Sequence, residues 1–175
     1  MELKKKIAVL CDYRLMPERI GGMDGFFWLF DAECKALGHE MVWFFPNEAH
    51  HEGYANLNIT AANGKSIEQI FLNHSQPFDV VFTHFLELCT PFYKTAKKLK
   101  LVQKIITVDH NPRPFEGYPL KKRIQKQLKG WMYAKYIDLF VGVSQYTVNE
   151  ILKDFGNHLS KKSIVVYNGI EFQKF

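Results

Sequence analysis

Short apolar runs punctuate the chain at residues 6–11, 40–45, 79–83, 104–109, 139–143 and 163–167. Most are continuously apolar rather than alternating, the pattern of strands covered on both faces. Between the first two lies a segment, 24–37, in which Phe27, Phe30, Cys34 and Leu37 recur at helical spacing before Gly38 closes it. Segments 66–74, 91–101, 118–136 and 144–155 read as helices in the remaining gaps, with Gly156 ending the last. Strands alternating with helices predict right-handed βαβ units and a parallel sheet, an α/β Rossmann-like fold with helices on both faces. Residues 47–64 are polar and aperiodic, and they predict a long irregular connection with a short strand near 57–60.

At 175 residues, 47% hydrophobic and 23% charged, the chain is sized for one well-cored domain and is not a disordered one. Its fifteen phenylalanines predict a core rich in bulky rings. The cysteines, Cys11, Cys34 and Cys89, are odd in number and show no ligand spacing, which predicts buried, reduced thiols in a cytosolic protein. The apolar run after Lys4-Lys5-Lys6 is too short for a signal peptide or a membrane span.

Net charge hides an asymmetry. Residues 94–135 carry twelve basic and two acidic side chains, whereas residues 1–93 carry seven and twelve. Part of the basic sector is the segment 118–136, which has six basic residues and no acidic one. Leu120, Ile124, Leu128 and Trp131 follow helical spacing within it. Two readings stand: a core-packed helix with a solvated basic face, or a contact with anionic lipid or an acceptor phosphate. The segment has no nucleic-acid motif or stacking platform, and no nucleic-acid partner is expected.

In parallel sheets, ligands bind beyond the carboxyl ends of the strands. After the first strand, Gly21-Gly22 lead into a helix whose N-terminus offers free N–H groups, although a plain flexible turn fits equally. After the fourth run, His110 opens a proline-fixed loop that can present its imidazole to the cleft or tie it into a loop network. His84 stands similarly after the third run, either cleft-facing or buried. His50-His51 reads as solvated, and no metal site is expected.

Taken in order, these segments resemble the N-terminal domain of a GT-B glycosyltransferase of the family 4 type. The resemblance rests on Gly21-Gly22, on Ala36-Leu37-Gly38-His39-Glu40-Met41-Val42, and on Asp79-Val80-Val81-Phe82-Thr83-His84. Thr107-Val108-Asp109-His110, residues 140–150 and the segment 163–172 with its Asn168-Gly169-Ile170-Glu171 complete it. It covers nearly the whole chain. The family implies transfer of a sugar from a nucleotide-sugar donor to a glycan or lipid-linked acceptor, with retention and without an essential metal or other cofactor.

On this resemblance residues 1–167 would form the acceptor-side domain and 168–175 the start of a linker. The donor-binding domain, with its basic residues and E-x7-E carboxylates, would lie outside the chain. His110 would stand beside the reacting centre, and Gly21, Gly22, His84, Arg113, Ser144 and Asn168 would contact substrate. The chain alone is expected to be inactive, because a diphosphate leaving group needs electrostatic stabilisation. Surface polysaccharide synthesis and a cytoplasmic place, at the inner membrane face if the basic helix touches lipid, complete the expectation. The alternative is a non-catalytic single-domain binding module of the same fold.

Overall fold

A computed structural model describes residues 4–167. Its centre is a seven-stranded, wholly parallel sheet: β1 (Lys6–Cys11), β2 (Glu40–Phe45), β3 (Ile59–Ala61), β4 (Phe78–His84), β5 (Val102–Asp109), β6 (Leu139–Gly142) and β7 (Ser163–Val165). The spatial order is β3-β2-β1-β4-β5-β6-β7, so the sequence direction reverses between β1 and β4. The helices are α1 (Gly22–Ala36), α2 (Ile67–Leu72), α3 (Pro91–Lys98), α4 (Leu120–Tyr133) and α5 (Gln145–Phe155).

Two apolar cores lie on the two faces of the sheet. Alternation along each strand assigns them, because neighbouring residues point to opposite sides. Val9, Trp43 and Phe45 meet Phe27 of α1 on one face. Leu10, Phe44, Val81, Ile105 and Phe140 meet Phe71 of α2, Tyr93 of α3 and Ile151 of α5 on the other. Rings dominate both: Phe27 makes edge contacts with Trp43 and Phe45, and Phe71 does so with Phe44 and Phe92. All three cysteines are buried and free.

The expected strands are present with shifted ends. The third run extends one residue at each end, which makes His84 the last strand residue instead of a loop residue. The irregular connection contains a 3₁₀ turn at Glu52–Tyr54 and a short strand slightly later than expected. His51 is not simply solvated, since it stacks on Trp28 with rings 5.5 Å apart. The proposed linker, with Asn168, lies outside the described residues.

Of the two readings of the basic helix, the orientation of α4 departs from the core-packed one. A core-packed helix predicts that its apolar stripe faces inward, yet Leu120, Ile124, Leu128 and Trp131 are all exposed. The inward side holds Lys126, Gly130 and the half-buried Tyr133 instead. Periodicity reveals that a helix has an apolar face, but the side that packs is decided by how closely a backbone can approach. Here Gly130 decides it, because a Cβ at this position would lie 2.1 Å from the Phe155 carbonyl oxygen.

Gly130→Ala is therefore expected to destabilise the protein. Alanine would favour an exposed helix by about 1 kcal/mol, but the clash falls on backbone, and separating α4 from α5 costs about 1–3 kcal/mol. Thermal unfolding reads the sign, and a raised Tm in the variant would contradict this packing.

Candidate functional site

Strand register brings His84 and His110 together. Parallel pairing places His84 opposite Cys11 of β1 and opposite Val108 of β5, two residues before His110. His84 Nδ1 and His110 Nε2 are 2.9 Å apart, within a hydrogen bond. His84 is buried, while His110 is half-buried and reaches the rim. Phe85, with a left-handed backbone (φ 61°), stacks its ring on His110 at 4.5 Å. Phe26, in the first turns of α1, leans on His84 at 5.6 Å.

Burial holds the imidazole of His84 to about 3, well below its ordinary value, with His110 adding to the effect. Burial also lowers His110, and the Asp109 carboxylate partly offsets it. Both rings are therefore neutral near pH 7, with one nitrogen of the pair donating and the other accepting. The pair forms the polar end of an otherwise apolar cavity of 260 Å³ walled by Phe30, Phe82, Val108, Val141 and Val143. The sequence signal for this wall is parity: Val80, Phe82 and His84 share one face of β4.

The glycine loop is pinned by a residue that sequence reading treated only as a helix start. Asp24 is fully buried, and its carboxylate accepts the Gly21 N–H at 2.8 Å. The same carboxylate accepts the hydroxyls of Tyr13, at 3.3 Å, and of Tyr54. Burial and then the charge of Asp24 raise the Tyr13 hydroxyl above its ordinary value, and Tyr54 shifts the same way. Gly21 and Gly22 are exposed, and a Cβ on Gly22 would meet nothing. Their role is therefore set by access to the first-turn N–H groups of α1, of which Asp24 already takes that of Gly21.

Arg113 takes a different role from the one expected. Its side chain is 5% exposed and shared between two buried carboxylates, Asp109 at 2.7 Å and Asp154 at 2.8 Å. A further N–H donates to the Asn111 carbonyl. With its donors so committed, Arg113 anchors the loop that carries His110 and does not reach out to a ligand. Burial works against its charge, yet the two carboxylates outweigh it and hold the guanidinium above its ordinary pKa. Ser144 Oγ caps α5 by accepting the Thr147 N–H at 3.1 Å, at the carboxyl end of β6. Among the described residues, no cluster of His, Cys, Asp and Glu is arranged to hold a metal.

The sequence profile of Glycosyltransferase Family 4 matches residues 20–174. The chain belongs to glycosyltransferase family 4. Its seven-stranded Rossmann-like sheet corresponds to one half of a GT-B fold. Among solved structures, a lipopolysaccharide outer core galactosyltransferase, WaaB, in its apo form superposes with a TM-score of 0.54 at 16% identity. That alignment covers 95% of this chain and 46% of the galactosyltransferase, so this family 4 chain spans about half of its neighbour's length. A homoserine dehydrogenase from S. aureus aligns at a TM-score of 0.41 and 13% identity, over 79% of this chain and 32% of its own. A search of curated proteins finds no match. At these identities the structural likeness concerns the fold alone.

Proposed function

We propose that this family 4 chain forms the acceptor side of a retaining glycosyltransferase. It would help move a sugar from a nucleotide-sugar donor to a glycan or lipid-linked acceptor in surface polysaccharide synthesis. The observation that carries the reading is the neutral His84–His110 pair, set at the strand ends with one ring buried and one at the rim. A neutral His110 accepts or donates a hydrogen bond to a sugar hydroxyl without placing a cation beside the oxocarbenium-like charge that glycosyl transfer develops. His84 fixes which nitrogen of His110 faces the cleft, and Phe85 holds the ring plane. The remaining first-turn N–H groups of α1 suit a phosphate or a sugar hydroxyl. The nucleotide would be bound by a second domain, transfer would proceed without an essential metal, and the protein would work in the cytoplasm.

The test is a panel of nucleotide-sugar donors offered to the reading frame that contains this chain, scored by nucleoside diphosphate release. Release with one donor is expected, with the product's anomeric configuration matching the donor's. His110→Ala should lower kcat by about a hundredfold, the scale of losing one transition-state hydrogen bond, with little change in the donor's KM. No release with any donor would overturn the transferase reading, and full activity in a folded His110→Ala variant would remove the role of His110.

A further inference from the structure

The outward face of α4 is built for a surface other than this protein. Leu120 is 70% exposed, Ile124 and Leu128 are each 53% exposed, and Trp131 is 76% exposed. Spaced by three and four residues, they form one ridge along a helix about 21 Å long. Met132 continues the ridge, and Phe115, in the loop before the helix, is fully exposed.

The charge on the helix itself has one sign. The helix has five basic residues and no acidic one. Lys126 is neutralised by Asp154 and Lys129 by Glu87. Lys121, Lys122 and Arg123 form no ion pair among the described residues, and Lys122 rests its ammonium over the Tyr118 ring at 4.3 Å. Lys153, paired with Glu150 at 3.3 Å, borders the ridge near Leu120 and Leu128, and Lys94 and Lys135 border it near Trp131.

We propose that α4 lies flat in the headgroup region of an anionic lipid bilayer, with its Leu120-to-Trp131 ridge inserted and its flanking cations on lipid phosphates. An acidic protein partner would match the charges, but it would need its own apolar groove for a ridge this long. A bilayer supplies both chemistries along the whole helix. The helix is amphipathic, which suits lying in the interface, and no helix among the described residues is long and apolar enough to cross a membrane. Lysine and arginine stems reach upward to phosphates while the apolar side chains sink below them, and tryptophan favours that depth. Only ten positions separate His110 from the start of α4. The proposal rests on α4 and stands apart from the transferase reading.

The test uses this chain with vesicles of phosphatidylglycerol and phosphatidylcholine, against phosphatidylcholine alone. Flotation should show binding to the anionic vesicles only, weakening as salt rises from about 0.1 to 1 M, where the screening length falls from about 10 to 3 Å. Lipids brominated in the acyl chain should quench Trp131 emission, since Trp43 is buried in the core and Trp28 is stacked against His51. Changing Lys121, Lys122 and Arg123 together to Gln should weaken binding about a hundredfold, on the scale of roughly fivefold per cation. Changing Leu120, Ile124 and Leu128 together to Ser, with unchanged circular dichroism, should also abolish quenching. Failure to bind anionic vesicles overturns the proposal. So does binding of the unmodified protein without Trp131 quenching, because that is adsorption by charge alone. A dimer in sedimentation that the Ser variant dissolves would reassign the ridge to self-association.

Discussion

Arg113→Leu is expected to remove about 3–5 kcal/mol of stability, the usual cost of breaking a buried ion pair by deleting one partner. The size follows from what would be left behind. Asp109 and Asp154 are 3% and 5% exposed, and both point at the guanidinium. Asp154 would keep Lys126 at 2.9 Å, whereas Asp109 would keep only the Asn111 N–H at 3.0 Å. Most of the loss should therefore trace to Asp109. A double variant, Arg113→Leu with Asp109→Leu, should recover part of it, because a buried pair replaced by apolar groups of similar volume is often close to neutral. Arg113→Lys should fall between, since an ammonium cannot reach two carboxylates with the fork that arginine offers. Urea denaturation of the four proteins decides the matter. A loss below about 1 kcal/mol for Arg113→Leu, the range of exposed pairs, would show that the triad is solvated.

Acid should destabilise the protein through the histidine pair, beginning as pH falls below 6.5. In the unfolded chain His84 takes up its proton near 6.5, and in the folded protein only near about 3. His110 is lowered in the same direction. Below 6.5 the unfolded chain consequently binds more protons than the folded one, so stability rises with pH across this window. The contribution of the neutral rings is complete above 6.5 and is lost as pH falls towards about 3. For His84 the slope is about 1.4 kcal/mol per pH unit, or roughly 3 kcal/mol between pH 6.5 and 4.5. Urea midpoints across that range measure it. His84→Gln should flatten the dependence, and an unchanged slope in that variant would place the sensitivity elsewhere.

Much of the fold was legible in the sequence because its strands are covered on both sides. Residues 7–11 and 41–45 are continuously apolar, and β1 and β2 cover them with one charged residue, Lys6 or Glu40, at the start of each. Edges were less legible. Runs 139–143 and 163–167 overran β6 and β7, because an apolar residue past the last ladder bond looks like any other strand residue. At the site, chain position put His84 and His110 after the third and fourth runs, and the sheet order makes those strands neighbours. Their contact depends on register and on which face each side chain takes, which local sequence does not state. Arg113 looked like a ligand-binding cation because its partner Asp154 lies 41 residues away. The face of α4 stayed open between two readings for a related reason: Gly130 exerts its effect through the Phe155 backbone, a partner invisible from within the helix.

The shared carboxylate of Asp24 has a practical consequence for anyone redesigning this protein. Tyr13, Gly21 and Tyr54 span 41 positions of sequence, yet all of them converge on one side chain. Residues 14–20 and 47–53 are thus two arches standing on a common keystone. A library that randomises the arches while holding Tyr13, Leu15, Asp24, Asn47, Gly53 and Tyr54 can reshape the rim and keep its footing. One that grafts either loop whole, anchor included, would remove part of the hydrogen bonding that the buried carboxylate accepts.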